Sequence, residues 1–215
     1  MHFEFFTEDQ SSKEAMNILI PKLLGDEITF RVHPYKGLGR IPKNLRPNTD
    51  ANKRILLDRL PELLRGYGRT PDSGTVVIIC DLDGKDRQQF SAELNSVLDS
   101  CDPKPDAIFC LAIEEFEAWY LGDLNAIKKA YPQIKSSILN EYENDSICGT
   151  WELLADAIYR GGRKALLKKG GQAVGEQKSM WAKTISPFMD VDGNHSPSFN
   201  AMRDQLRSRA RLCST

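Results

Sequence analysis

Thr75-Val76-Val77-Ile78-Ile79-Cys80-Asp81-Leu82-Asp83-Gly84 decides the reading of the fold. Its first half is an unbroken run of mostly β-branched residues with no polar alternation. A strand with that pattern is buried on both faces, as in a parallel sheet. Three further short apolar runs, Phe3 to Phe6, Ile28 to Val32 and Ala107 to Ile113, read as companion strands. Helical patterns lie between them. Ser11 or Ser12 is placed to cap a helix that runs to Leu24 and stops at Gly25. Asn52 to Leu64 and Asp86 to Leu98 carry apolar residues at helical spacing. Alternation of strand and helix predicts βαβ units and a mainly parallel sheet of about four strands with flanking helices. After Trp119 the pattern becomes short helices joined by glycine-rich loops. One domain is expected over 1–215, with an α/β core over 1–122 and a helical extension over 123–215 packed on it.

Composition narrows the class. Hydrophobic residues make up 40% and charged residues 27%, which is ordinary for a globular chain. No stretch approaches the roughly 18 apolar residues of a membrane span. The start, Met1-His2-Phe3-Glu4, lacks the basic region of a signal peptide. Cysteines at 80, 101, 110, 148 and 213 form no Cys-x-x-Cys pair, and a reduced, cytoplasmic setting is expected. Three histidines without ligand spacing argue against zinc. Net charge is −1, so affinity for nucleic acid has to come from local patches. Two patches exist. Lys36, Arg40 and Lys43 belong to a basic stretch from His33 to Arg54, and Arg163, Lys164, Lys168 and Lys169 to another from Arg160 to Lys169.

The chemistry is concentrated in acids that follow strands. In extended chain, residues i and i+2 point the same way, so Asp81 and Asp83 are expected to project together from the strand end. Parallel α/β sheets place ligands at that edge. Two anions so close repel, and a bound Mg²⁺ or Mn²⁺ relieves the repulsion with oxygen ligands. Glu8 occupies the equivalent place after the first strand, and Glu114, Glu115 and Glu117 follow the fourth. Each cluster alone reads equally as a turn or a solvated helix start. Together they converge on one edge. If residues 114–117 are helical, Glu114 and Glu117 share a face and Glu115 points elsewhere.

This arrangement resembles the TOPRIM fold of topoisomerases, primases and overcoming-lysogenization-defect nucleases. It is more closely similar to a bacterial family of unknown function grouped with TOPRIM proteins. The residues that carry the likeness are Glu8-Asp9, Asp81-Leu82-Asp83-Gly84, the block Glu115-Phe116-Glu117-Ala118-Trp119, and Ser196-Pro197-Ser198-Phe199. The resemblance implies a metal-dependent nuclease-like site. It assigns Asp81 and Asp83 to Mg²⁺ or Mn²⁺, Glu8 to metal or proton transfer, and Glu117, or Glu115, to an extra carboxylate. Lys178 is a further candidate for a phosphate contact. The resemblance also implies a nucleic-acid substrate and a place in anti-phage defence beside a partner ATPase. Related defence nucleases often carry a second Glu four residues after the first, where this chain has Ser12. One metal or two therefore stays open.

Two other readings stay open as well. Strand, Asp-x-Asp-Gly, then helix is also the opening motif of haloacid-dehalogenase-like phosphatases, with Asp81 as nucleophile and Asp83 as general acid. Against it, Lys85 stands where Thr or Val is usual, and no clear later Gly-Asp-x-x-x-Asp follows. The other is a catalytically inactive TOPRIM-like module that only binds a partner.

Overall fold

Val76, Val77, Ile78 and Ile79 are buried because their strand has packed layers on both sides. Val77 and Ile79 face one hydrophobic cluster, and Val76, Ile78 and Cys80 face the other. That is the period-2 alternation of a strand, applied to two cores. A computed structural model describes residues 1–70 and 74–212. Its four strands, β1 (His2–Thr7), β2 (Thr29–Pro34), β3 (Thr75–Asp81) and β4 (Ala107–Ala112), form a sheet in the order β2-β1-β3-β4. All three pairings are parallel. The expected architecture is therefore the observed one, with β3 as an inner strand.

Helices α1 (Gln10–Leu24), α2 (Leu56–Gly68) and α3 (Arg87–Asp99) connect the strands. Beyond β4 come α4 (Glu117–Leu121), α5 (Leu124–Ala130), α6 (Ser136–Leu139), α7 (Thr150–Ile158), α8 (Gly162–Leu167), α9 (Gly171–Ile185) and α10 (Pro197–Leu212). Apolar residues of α2 and α3 cover one face of the sheet. On the other face α1 shares a single core with residues from α4 to α10. The helical half thus contributes Trp119, Trp181 and Phe199 to the core that also holds Phe3 and Phe5. Among the described residues no helix is long and apolar enough to cross a membrane. Cys80, Cys101 and Cys110 are buried free thiols and Cys148 is exposed. Cys213 lies outside the described residues.

Two helix starts differ from the sequence expectation. Asp9, not Ser11 or Ser12, caps α1. Its backbone is extended (φ −143°, ψ 179°), and its carboxylate accepts the Ser12 amide at 2.8 Å. The Ser11 and Ser12 hydroxyls donate to the same carboxylate. Helix α2 starts four residues later than Asn52, because Asn52 belongs to a 3-10 turn (Ala51–Lys53) and Arg54 takes a left-handed conformation. Gly25 ends α1 as expected, at φ 82°.

The two motifs Glu115-Phe116-Glu117-Ala118-Trp119 and Ser196-Pro197-Ser198-Phe199 pack on each other. The Trp119 indole donates to Ser198 Oγ at 3.0 Å and meets the Phe199 ring edge-on. Asn194 donates to the Trp119 carbonyl at 2.8 Å. Gly122 sits where these segments touch: a Cβ there would stand 2.2 Å from Asn194 Oδ1 and 2.8 Å from the Ser196 amide. We expect Gly122→Ala to destabilise the fold by about 1–3 kcal/mol through this overpacking. Gly175→Ala, in α9 with nothing within 4 Å of the new methyl, should stabilise by about 0.5–1 kcal/mol. Urea midpoints of the two variants check the pair; equal shifts of the same sign would contradict the packing account.

Candidate functional site

Parallel pairing sends the C-terminal ends of β1 and β3 to the same edge of the sheet. Glu8 follows β1 by one residue and Asp81 is the last residue of β3. After burial, the Glu8 charge is the largest influence that raises the Asp81 pKa. Glu117, on the first turn of α4, and Asp9 add to the same field. Asp81 therefore feels the charges of Glu8, Glu117 and Asp9 together.

A lysine from the helical half enters the middle of them. Lys178 on α9 is only 15% exposed, and its ammonium stands 3.2 Å from Glu117 Oε2 and 3.5 Å from Glu115 Oε1. It also lies 6.0 Å from the Trp151 ring centroid. Burial alone would lower its pKa. The charges of Glu117, Glu115, Asp81 and Asp9 outweigh that and hold it well above the usual lysine value. Lys178 is thus a permanent cation at the site.

One lysine does not neutralise this many acids. Burial, with the charges of Asp83 and Asp9, pushes Glu8 up to about 7, against the opposing pull of Lys178 and Lys85. Burial also pushes Glu117 up to about 7, although Lys178 works the other way. Asp81 is raised well above the usual range by burial and then by Glu8. Glu8 Oε2 and Glu117 Oε2 are buried without a hydrogen-bond partner. The Lys178–Glu117 contact is therefore charge attraction without hydrogen-bond alignment.

The remaining acids are placed differently. Asp83 does not continue the extended chain beyond Asp81. It takes a left-handed conformation (φ 49°) and pairs with Lys85 at 2.9 Å on the exposed rim. The strand ends first, so the i and i+2 rule stops applying; only the Asp83 charge reaches Glu8. Residues 114–116 are not helical either. Glu114, at φ 62°, turns its carboxylate onto the amides of Cys148, Gly149 and Thr150 at 2.6–3.1 Å. It supplies the acceptors that the open start of α7 needs. Glu115 helps by accepting the Thr150 hydroxyl at 3.0 Å. Of the pair Glu115 and Glu117, Glu117 has a buried oxygen without a hydrogen bond, the one that faces Lys178. Ser12 is spent on the Asp9 cap.

The basic residues divide into two groups. Lys36, Arg40 and Lys43 are exposed on the loop after β2. The Tyr35 and Gly37 amides bond to the carbonyls of Thr7 and Glu8, which ties the start of this loop to the site. Buried Asp58 pins its far part by accepting the Asn48 and Thr49 amides and the Thr49 hydroxyl. Burial would raise the Asp58 pKa, but these bonds more than offset it and hold it low. Arg163, by contrast, pairs with Asp156 at 3.2 Å, and Lys169 lies over the Tyr159 ring. Lys164 and Lys168 are exposed. No hydrogen bond or ion pair links these four to the acidic site among the described residues.

The acidic edge with its central lysine is the place where the chain can be compared with known proteins. The chain belongs to the DUF4276 family, a domain of unknown function. The match covers residues 7–207 and so includes Glu8, Asp81, Asp83, Glu117 and Lys178. No curated protein and no solved structure matches the chain.

Chemically the donors fit a hard divalent ion. They are all oxygen, two of those oxygens are orphaned, and the pKa values are raised by burial and then by neighbouring acids, both of which a bound cation would offset. Among the described residues no group of three His, Cys, Asp or Glu side chains is arranged to hold a metal ion.

The raised groups have a consequence for stability. Glu8 and Glu117 hold their protons more firmly in the folded chain than in the unfolded one. Their ionisation removes stability as pH rises from about 4.5 to about 7. In chelator, Glu8→Gln should lose less stability than wild type between pH 5 and pH 8. Thermal melts of both proteins at both pH values check this. An identical pH response would contradict the burial of Glu8 among like charges.

Proposed function

We propose that this chain is a metal-dependent nuclease of the TOPRIM-like kind, hydrolysing phosphodiester bonds at the edge where Glu8, Asp81 and Lys178 meet. The observation that carries the reading is the meeting itself. Carboxyls from two separate strand ends have their pKa values raised by burial and by neighbouring acids, beside a buried ammonium, at the ligand-binding edge of an all-parallel sheet. Structural ion pairs do not need an orphaned carboxylate oxygen. Sites that move protons and bind cations do.

In this reading Asp81, Glu8 and the rim carboxylate of Asp83 would hold Mg²⁺ or Mn²⁺, with Glu117 as the further carboxylate. The bound ion would supply stabilisation of negative charge on the phosphodiester. The chain's own residues do the rest. Glu8, with a pKa of about 7, holds and releases a proton near neutral pH, which suits a general base toward water or a general acid toward the leaving oxygen. Water adds to phosphorus, the bond to the leaving oxygen breaks, and that oxygen takes up a proton. Lys178 offers a fixed positive charge to the same centre and keeps Glu117 oriented. Lys36, Arg40 and Lys43 meet flanking phosphates, which gives affinity without sequence choice. The likeness to defence nucleases supports a cytoplasmic role in anti-phage defence beside a partner ATPase.

Incubation of pure protein with plasmid DNA and with RNA, in Mg²⁺ or Mn²⁺, should give new strand ends and no free phosphate. Asp81→Asn and Glu8→Gln should each slow cleavage at least about 100-fold. Cleavage undiminished in Asp81→Asn, or free phosphate as the product, would overturn the reading.

A further inference from the structure

Where β1, the end of β2 and α2 come together lies a cleft of about 470 Å³. Its walls include Phe6, His33, Tyr35, Arg54, Arg59, Glu62 and Leu63. Arg59 is committed to Glu62 at 2.8 Å and to the Thr49 carbonyl, which leaves three aromatic rings and the exposed Arg54 guanidinium as the groups a ligand would meet. The rings are held in position. His33 stacks on Phe6 with centroids 4.9 Å apart and planes 16° apart. Its Nε2 is fixed 2.6 Å from Glu4 Oε2. The Phe6 ring also meets Tyr35 at 6.3 Å and Tyr67 edge-on at 5.7 Å. The Arg54 guanidinium lies over the Tyr35 ring, 5.9 Å from its centroid.

The cleft is joined to the candidate site by backbone. The Tyr35 amide donates to the Thr7 carbonyl at 2.8 Å, and the Gly37 amide to the Glu8 carbonyl at 3.0 Å. Tyr35 also lines an adjoining cleft of about 620 Å³ that includes Asp9, the neighbour of Glu8. Tyr35 thus lines both clefts, and its backbone is tied to the strand end that carries Glu8.

We propose that this aromatic and guanidinium cleft is a nucleobase subsite, and that the substrate is single-stranded nucleic acid at that position. The inference rests on the nuclease reading and adds the class of substrate. Aromatic and guanidinium planes stack on unpaired bases of any sequence. A cleft of 470 Å³ falls within the about 300–1,000 Å³ of small-ligand sites, which suits one splayed nucleotide. A base inside a duplex has both faces stacked on its neighbours and cannot enter. Arg54, at the mouth, is a cation for the adjacent phosphate.

The test separates binding from cleavage. Fluorescently labelled single-stranded DNA, single-stranded RNA and the matching duplex are titrated with full-length Asp81→Asn protein, read by anisotropy. Single strands should bind at least about tenfold tighter than the duplex, and the DNA and RNA arms identify which strand is preferred. Tyr35→Leu and Arg54→Gln, each in the Asp81→Asn background, should weaken single-strand binding about five- to a hundredfold. Lys129→Ala, on α5, should not. Melting temperatures within a few degrees of the parent show that the variants fold. Equal affinity for single strand and duplex, or unchanged binding in both Tyr35→Leu and Arg54→Gln, overturns the subsite. Tight, Tyr35-dependent single-strand binding by a wild-type protein that cleaves nothing would leave the subsite standing and remove the nuclease.

Discussion

The structure turns on one buried ammonium. Lys178 reaches from α9 into a group of carboxyls that the strand ends supply, and without it Glu117, Glu115 and Asp81 would face one another across a poorly solvated space. Uncompensated charges of that kind either take up protons or force the fold apart. Lys178 prevents neither outcome fully, because Glu8 and Glu117 still sit near 7. The balance is informative. A purely structural arrangement would match cations to anions, whereas this one leaves negative charge in excess and carboxylate oxygens unmet.

The helical half can be understood as the support of that lysine and of Glu117. Helix α9 packs along α1, whose first residues follow Glu8 and Asp9. Helix α4, which carries Glu117, is tied to the start of α10 through Trp119, Ser198 and Phe199. Glu114 and Glu115 anchor α7, and Trp151 of that helix lies under the Lys178 ammonium. Motifs that look catalytic in a linear sequence therefore divide their labour. Glu117 faces the site, Glu114 is committed to a helix start and Glu115 is shared between that start and Lys178, and Trp119 with Ser198 holds the layers together.

Most of the sheet was legible because burial on both faces leaves a plain mark, the uninterrupted run Val76 to Cys80. The strand ends beneath the acids were legible for the same reason. Other features were not. Asp83 and Glu114 adopt left-handed conformations that no local pattern announces, so the rules of strand and helix spacing mislead there. At the start of α1, Asp9, Ser11 and Ser12 are all good caps by residue type, and only backbone geometry selects Asp9. Lys178 carried little signal: a lysine amid polar helix residues reads as solvated, and its partners lie about sixty residues away in sequence. The aromatic cleft was invisible because Phe6 comes from β1, His33 from β2 and Tyr35 from the loop that follows it, and only the fold brings them together.

The central claim is that this acidic edge is a metal site in waiting, with Asp81 at its heart. Titration of Mn²⁺ into the chelator-stripped protein, followed by electron paramagnetic resonance of the free ion, reads it without reference to any substrate. The account predicts saturable binding to the wild type at neutral pH that is lost in Asp81→Asn and weakened in Glu8→Gln. Equal uptake of Mn²⁺ by wild type and Asp81→Asn would contradict it.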